Sequence, residues 1–186
     1  MAPKMPGDRA RATITSEAAL QAIALRYVAR FPCSTHKLRV HLGRKLEATI
    51  ATEVVGAQVA RRWIDGVVAS LTRMRALDDV GFAQARAVTL HRRGRATRII
   101  EQDLRRAGLP MAAIEGACRA LVELAPEPDL TAAIALARKK RLGPFARGPL
   151  DDGARRRQLA LLARAGFSFA VARRIVDCRD AQLLEE

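Results

Sequence analysis

The chain has 186 residues, with 33 Lys+Arg against 19 Asp+Glu and a formal net charge of +14. Such an excess points to a polyanionic partner: nucleic acid, an acidic protein surface or an anionic membrane. A hydrophobic content of 49% rules out a disordered basic tail, and no apolar run approaches the roughly 18 residues a membrane span needs.

Of the basic residues 28 are Arg and 5 are Lys. Arg is the better bidentate clamp on phosphate or carboxylate, although a GC-rich genome gives the same bias. Seven aromatic residues and abundant Ala imply thin packed helices rather than one deep globule. The N-terminal segment through Arg9 is charged with no hydrophobic stretch behind it, unlike a secretory signal. Cys33, Cys118 and Cys178 lie far apart, so neither a disulfide framework nor a zinc site is suggested, and the expected compartment is a reducing cytoplasm.

Helical signals run the length of the chain. After an expected mobile basic tail, residues 1–15, Ser16 caps a helix carrying Leu20, Ile23, Ala24, Tyr27 and Val28 on one face, which Pro32 stops. Ser34 or Thr35 caps the next, with Leu38, Leu42 and Leu46 at helical spacing. The stretch from Leu46 to Gln58 is the least readable; Thr-Ile-Ala-Thr-Glu-Val-Val has strand character, but we read it as helix or loop. A long segment through Trp63, Ile64, Val67, Val68 and Leu71 follows.

Asp78-Asp79 opens a helix through Phe82, Ala83 and Leu90 that ends at Gly94. The next carries Ile99, Ile100, Leu104 and Ala107 and closes at Gly108; Pro110 suits the first turn of its successor. Asp129 opens a helix that Gly143-Pro144 stops, and a Pro/Gly-rich linker from Leu142 to Leu150 leads to a cap at Asp151-Asp152. Gly166 closes that helix and Ser168 caps the last.

Arg106-Ala107-Gly108-Leu109 matches Arg164-Ala165-Gly166-Phe167 at an offset of 58 residues, and Leu42-Gly43-Arg44-Lys45 is a weaker copy 62 residues earlier than Leu104-Arg105-Arg106. Helices recurring at this interval predict an all-α tandem array of three three-helix units. The units span 16–76, 77–125 and 126–180, with a C-terminal tail at 181–186.

Catalytic signatures are missing: there is no Walker-type phosphate loop and no G-x-G-x-x-G after a strand. His36, His41 and His91 offer no metal-binding i,i+4 pair, and His36 and His41 read as helix-surface residues. Helix capping accounts for both Asp pairs, and the cysteines read as small buried hydrophobes. No enzyme, metal or cofactor is expected.

The basic clusters remain. Arg92, Arg93, Arg95 and Arg98 straddle the Gly94 turn, with Arg105 and Arg106 on the following helix. From Arg86 to Leu109 there are seven Arg against Glu101 and Asp103, a balance of +5. Two readings stand: a solvated face in which Glu101 pairs with Arg105, or a patch for phosphates and carboxylates. Arg138-Lys139-Lys140-Arg141 ends a helix, where cations suit the dipole. Arg155, Arg156 and Arg157 lie near a helix start, where cations oppose it; that local penalty without structural return favours a binding role, with Arg164 on the same stripe as Arg157. Trp63, Phe167 and Phe169 can stack on bases, but read better as buried anchors.

With these residues in view the sequence resembles the RecX family of bacterial recombinase regulators. The resemblance is strongest in Leu77-Asp78-Asp79-Val80-Gly81-Phe82-Ala83, Arg92-Arg93-Gly94, Arg98-Ile99-Ile100 and Leu104-Arg105-Arg106-Ala107-Gly108-Leu109. Ala24 to Arg30 and Leu162 to Phe169 resemble the first and last units of that family, while about ten extra residues around Glu47 to Gln58 depart from it, as does His91 where Arg or Lys is common. The resemblance implies an elongated, curved, non-enzymatic protein that binds the RecA recombinase in the groove of its DNA filament. It further implies weakened filament growth, ATP hydrolysis, strand exchange and SOS induction. Contact candidates are Arg92, Arg93, Arg95, Arg98, Arg105 and Arg106, then Arg155, Arg156, Arg157 and Arg164. The competing readings are a general DNA-binding protein with helix-turn-helix-like units, binding single and double strands, and a basic scaffold for another acidic protein.

Overall fold

Short side chains with an oxygen start four of the helices. Ser16 accepts from the Ala19 amide, Ser34 from Lys37, Asp151 from Ala154 and Ser168 from Val171, each satisfying an amide that has no partner inside its helix. The computed structural model describes residues 13–146, 148 and 151–184. Every regular element among them is helical. The chain separates into two compact units, 1–78 and 79–186.

The first unit holds α1 (Glu17–Arg30), α2 (Thr35–Ala51) and α3 (Ala57–Arg73). Their apolar stripes enclose Leu20, Leu38, Leu42, Leu46, Val67 and Leu71, all essentially without solvent contact. Ile14 and Leu77 close this core from either end of the unit. Residues 1–12 of the expected tail lie outside the described residues, but its last part is anchored: the Ile14 amide donates to the buried Thr49 Oγ1 at 3.1 Å.

That bond also explains the unreadable stretch. Thr49 and Ile50 continue α2 to Ala51, a turn follows through Glu53 (φ 56°), and Val55 is buried before α3 begins at Ala57. Strand-like composition yields here to a tertiary contact. Gly43 sits inside α2 with open space around it, so Leu42-Gly43-Arg44-Lys45 is not a helix stop, and the weak third copy of the repeat fails at that position.

The second unit holds α4 (Asp79–Arg92), α5 (Thr97–Arg106), α6 (Met111–Leu124), α7 (Pro128–Lys140), α8 (Asp152–Arg164) and α9 (Phe169–Val176), with a short 3₁₀ turn at Gly143–Phe145. Its buried residues form two clusters. One joins α4, α5 and α6 through Ala83, Ala87, Ile100, Leu104, Ile114 and Leu121. The other gathers Ala133, Ala137, Leu162, Phe167, Ala172 and Ile175 around α7, α8 and α9. Leu184, within the expected C-terminal tail, is buried in this second cluster.

Three helix ends in this unit share one glycine closure. Gly94, Gly108 and Gly166 have φ of 76°, 70° and 99°. After each, the next amide reaches back five residues: Arg95 to the Leu90 carbonyl, Leu109 to Leu104 and Phe167 to Leu162. The 58-residue repeat is therefore a repeat of geometry. Two expectations shift slightly. Pro128, not Asp129, is the first residue of α7, and Arg141 (φ 57°) takes the left-handed position at its end, two residues before Gly143 (φ 54°). Phe167 and the half-buried Trp63 are core anchors as read, but Phe169 is 66% exposed.

Gly94 and Gly43 give a test of opposite sign. A Cβ at Gly94 would lie 2.8 Å from Leu136 Cβ and 2.9 Å from its backbone nitrogen, in a backbone region L residues disfavour. Gly94→Ala should lower unfolding free energy in urea by more than about 2 kcal/mol. Gly43→Ala, in a helix interior with open space, should raise it by about 0.5–1 kcal/mol.

Candidate partner-binding surface

Four of the candidate arginines lie on or beside the turn between α4 and α5, and burial alternates along this stretch. His91 is buried, Arg92 and Arg93 are exposed, Gly94 is buried, Arg95 is exposed, Ala96 is buried and Arg98 is exposed. The buried members dock on α7. His91 Nε2 lies 2.7 Å from the Pro128 carbonyl, and the Gly94 Cα side faces Leu136 and the Ala132 carbonyl. Asp129 Oδ1 accepts from both the amide and the hydroxyl of Thr97, each at 2.7 Å. An acid on α7 thus caps the first turn of α5, whose own N-cap position is Ala96 and supplies no side-chain bond. From the other side Gly166 closes on Ile99 and Ala96, where a Cβ would come within 2.4 Å of Ile99 Cγ1.

Internal pairing then decides which charges are left over. Asp103 receives Arg86 from α4 in a two-pronged bond, and the pairing holds the Arg86 guanidinium above its ordinary pKa. Glu101 receives Arg105 at 2.9 Å, as the i,i+4 spacing suggests. These two acids neutralise two of the seven arginines, so the surplus of the segment rests on Arg92, Arg93, Arg95, Arg98 and Arg106. Among the described residues none of the five has an ion-pair partner, and all are exposed.

Arg155 corrects the reading made from the second cluster. Its Nε and Nη2 donate to the two Asp177 oxygens at 2.7 and 2.8 Å, fastening α8 to the end of α9. The position near a helix start has a structural return after all. Arg173 adds a second bond to Asp177 at 3.2 Å. Arg155 first, then Arg173, hold the Asp177 carboxyl below the usual carboxylate range. Arg156, Arg157 and Arg164 stay exposed and without an ion-pair partner among the described residues.

His91, Asp129 and Asp177 are the residues that sequence reasoning passed over. Their partners lie 37, 32 and 22 residues away, and no local pattern marks such pairs. His41 also departs from its reading as an ordinary surface residue: it is half-buried and stacked on Tyr27, ring centroids 3.9 Å apart. Cys33 is buried, Cys118 and Cys178 half-buried, and burial pushes the Cys118 thiol up. Among the described residues no group of three or more His, Cys, Asp or Glu is placed to hold a metal, and no helix is long and apolar enough to cross a membrane.

The chain is similar to known proteins along most of its length. The Regulatory protein RecX of Myxococcus xanthus (strain DK1622) is 37% identical over 163 residues, covering 87% of this chain and 86% of its own length. The chain belongs to the RecX family. Two further proteins named Regulatory protein RecX resemble parts of this RecX-family chain. The one from Agrobacterium fabrum (strain C58) is 33% identical, covering 55% of this chain and 53% of its own; that from Corynebacterium efficiens is 37% identical, covering 62% and 58%. The crystal structure of RecX from Lactobacillus salivarius superposes with a TM-score of 0.61 at 14% identity, over 91% of this chain and 96% of its own. A second crystal structure of regulatory protein RecX gives 0.60 at 22% identity, over 87% and 74%. At these identities the structures establish the shared fold. No model of a known protein family matches the chain. The relatives are named as regulatory proteins, not as enzymes.

Two variants test how the RecX-family surface is built. Asp129→Ala should cost about 1–2 kcal/mol of unfolding free energy by removing the cap on α5, and Asp129→Asn, which keeps one acceptor, should cost less. Asp177→Asn should destabilise the protein at neutral pH. Because the Asp177 pKa is depressed in the folded state, its stabilising contribution is present above the unfolded carboxylate pKa and fades as pH falls through the folded one. The difference between wild type and Asp177→Asn in urea unfolding should therefore narrow on acidification.

Proposed function

We propose that this RecX-family chain regulates the RecA recombinase by binding the RecA filament and the DNA it contains, mainly to inhibit it. The observation that carries the reading is the turn from Arg92 to Arg98. It presents four exposed arginines without ion-pair partners among the described residues, on a backbone anchored by His91, Gly94 and Asp129. An anchored backbone adds no loop-ordering cost when the edge meets phosphates or carboxylates, and Arg offers each a bidentate clamp.

In this reading the turn, with Arg105 and Arg106, contacts the filament first. Arg156, Arg157 and Arg164 contact it second, while Arg155 serves both its Asp177 pair and the edge of that surface. Bound protein hinders filament growth and contacts between protomers, and so lowers ATP hydrolysis, strand exchange and SOS induction. Binding to free single- or double-stranded DNA is weaker and salt-dependent. The protein acts as a cytoplasmic monomer, built of three-helix units over 16–76, 77–125 and 126–180.

The test is RecA ATPase on single-stranded DNA with substoichiometric protein. Inhibition at moderate salt is expected, and its absence would sink the reading. Arg92→Glu with Arg98→Glu should require at least about tenfold more protein for the same inhibition; an unchanged dose response removes this turn from the interface. RecA capture should persist after nuclease treatment. Capture that disappears with the DNA favours general DNA binding instead, with an affinity falling by a slope near −0.9 per duplex phosphate contacted.

A further inference from the structure

The first unit holds a second cationic feature of different construction. Between α1 and α2 lies an open pocket of about 690 Å³, within the range of small-ligand sites. One wall is a ladder of rings. Phe31 lies 5.5 Å from Tyr27 at a 46° tilt, and Tyr27 stacks on His41 at 3.9 Å and 17°. Phe31 is 48% exposed. Around the ladder stand Arg26 and Arg30 from α1 and Arg44 and Lys45 from α2, all exposed and without an ion-pair partner among the described residues. Among the described residues no carboxylate lines the pocket.

We propose that this pocket binds single-stranded nucleic acid, one unpaired base stacking against the Phe31–Tyr27–His41 ladder while its flanking phosphates meet Arg26, Arg30, Arg44 and Lys45. Each part of the chemistry selects this occupant. Flat rings recognise the π face that every base carries, and cations at the rim suit a phosphate chain passing on either side. A duplex keeps its bases paired and stacked, so it offers the rim its phosphates but nothing for the ladder. An acidic peptide also satisfies the cations, yet offers a ring only where it carries an aromatic side chain, whereas every nucleotide brings one.

Electrostatics divides the pocket in the same way. Burial, then Lys45 and Arg44, lower the His41 pKa, and burial with the nearby Cys33 raises that of Tyr27. The ladder is thus neutral at neutral pH and the charge sits at its rim. Arg30 lies over the Phe31 ring with its Cζ 5.4 Å from the centroid, which orients one cation beside the stacking surface.

This assignment deepens the DNA-binding part of the function proposed above, and its test contains no RecA. Its failure leaves RecA inhibition untouched, and loss of RecA inhibition leaves it standing. The full chain is titrated into fluorescein-labelled oligo-dT and read by anisotropy across a salt series. Phe31→Ala should weaken binding roughly five- to hundredfold. Arg26→Ala with Arg30→Ala should reduce the magnitude of the salt slope by about 1.4. Far-UV circular dichroism confirms that these exposed-residue variants keep their helices. Photocrosslinking with a halouracil-substituted strand should place adducts on Tyr27, Phe31 or His41, and Phe31→Ala should leave duplex binding unchanged. Oligo-dT affinity indifferent to Phe31→Ala, adducts confined to residues 86–109, or equal competition by polyglutamate would each overturn the proposal.

Discussion

The second unit depends on the seam between the α4–α5 turn and α7. Three contacts of different kinds meet there: a buried imidazole on a helix-start carbonyl, a glycine whose missing side chain lets two backbones approach, and a carboxylate that caps a neighbouring helix. Each substitutes for something α4 or α5 lacks locally. The turn needs a residue tolerant of φ 76°, and α5 needs an acceptor that Ala96 cannot supply. Close packing makes the contacts mutually reinforcing, because Gly94 approaches Leu136 only while Asp129 and Pro128 keep α7 in place.

The seam has a consequence for charge. Exposed arginines in a short segment repel one another, and a flexible loop would let them spread into solvent. Here the alternating buried residues fix the backbone, so the side chains project from an anchored edge. The acids that could silence the charge are occupied, Asp103 by Arg86 and Glu101 by Arg105, while Asp129 faces Thr97. What is left is a cationic edge whose repulsion is relieved when a polyanion arrives. The first unit solves a different problem: its aromatic ladder lies among cations and combines stacking with charge.

Much of this was legible from local chemistry. Ser16, Ser34, Asp151 and Ser168 cap the helices they precede, because capping involves neighbours three residues apart. Gly108 and Gly166 close equivalent helices for the same reason, and the 58-residue offset between them marks a real geometric repeat. Gly43 shows the limit of that logic, since a glycine within a helix and one at its end look alike until the following residues commit. The stretch around Thr49, read as helix or loop, is the end of α2 and a turn. Local chemistry does not show the bond that buries Thr49 against the Ile14 amide. The structural role of Arg155 was hidden because its partner Asp177 is 22 positions away. The pocket of the first unit was hidden similarly: Tyr27 and Phe31 share a face of α1, but that His41 of α2 would stack on Tyr27 follows only from helix packing.

The basic turn is held rigidly by its seam, and native-state amide hydrogen exchange measures this directly. The amides of Arg95 and Thr97, bonded to the Leu90 carbonyl and to Asp129, should exchange as slowly as that of Ile100 in the core of α5. All three should then open only with the unit as a whole. Rapid exchange at Arg95 and Thr97 beside a protected Ile100 would show the turn opening independently, and would contradict the account.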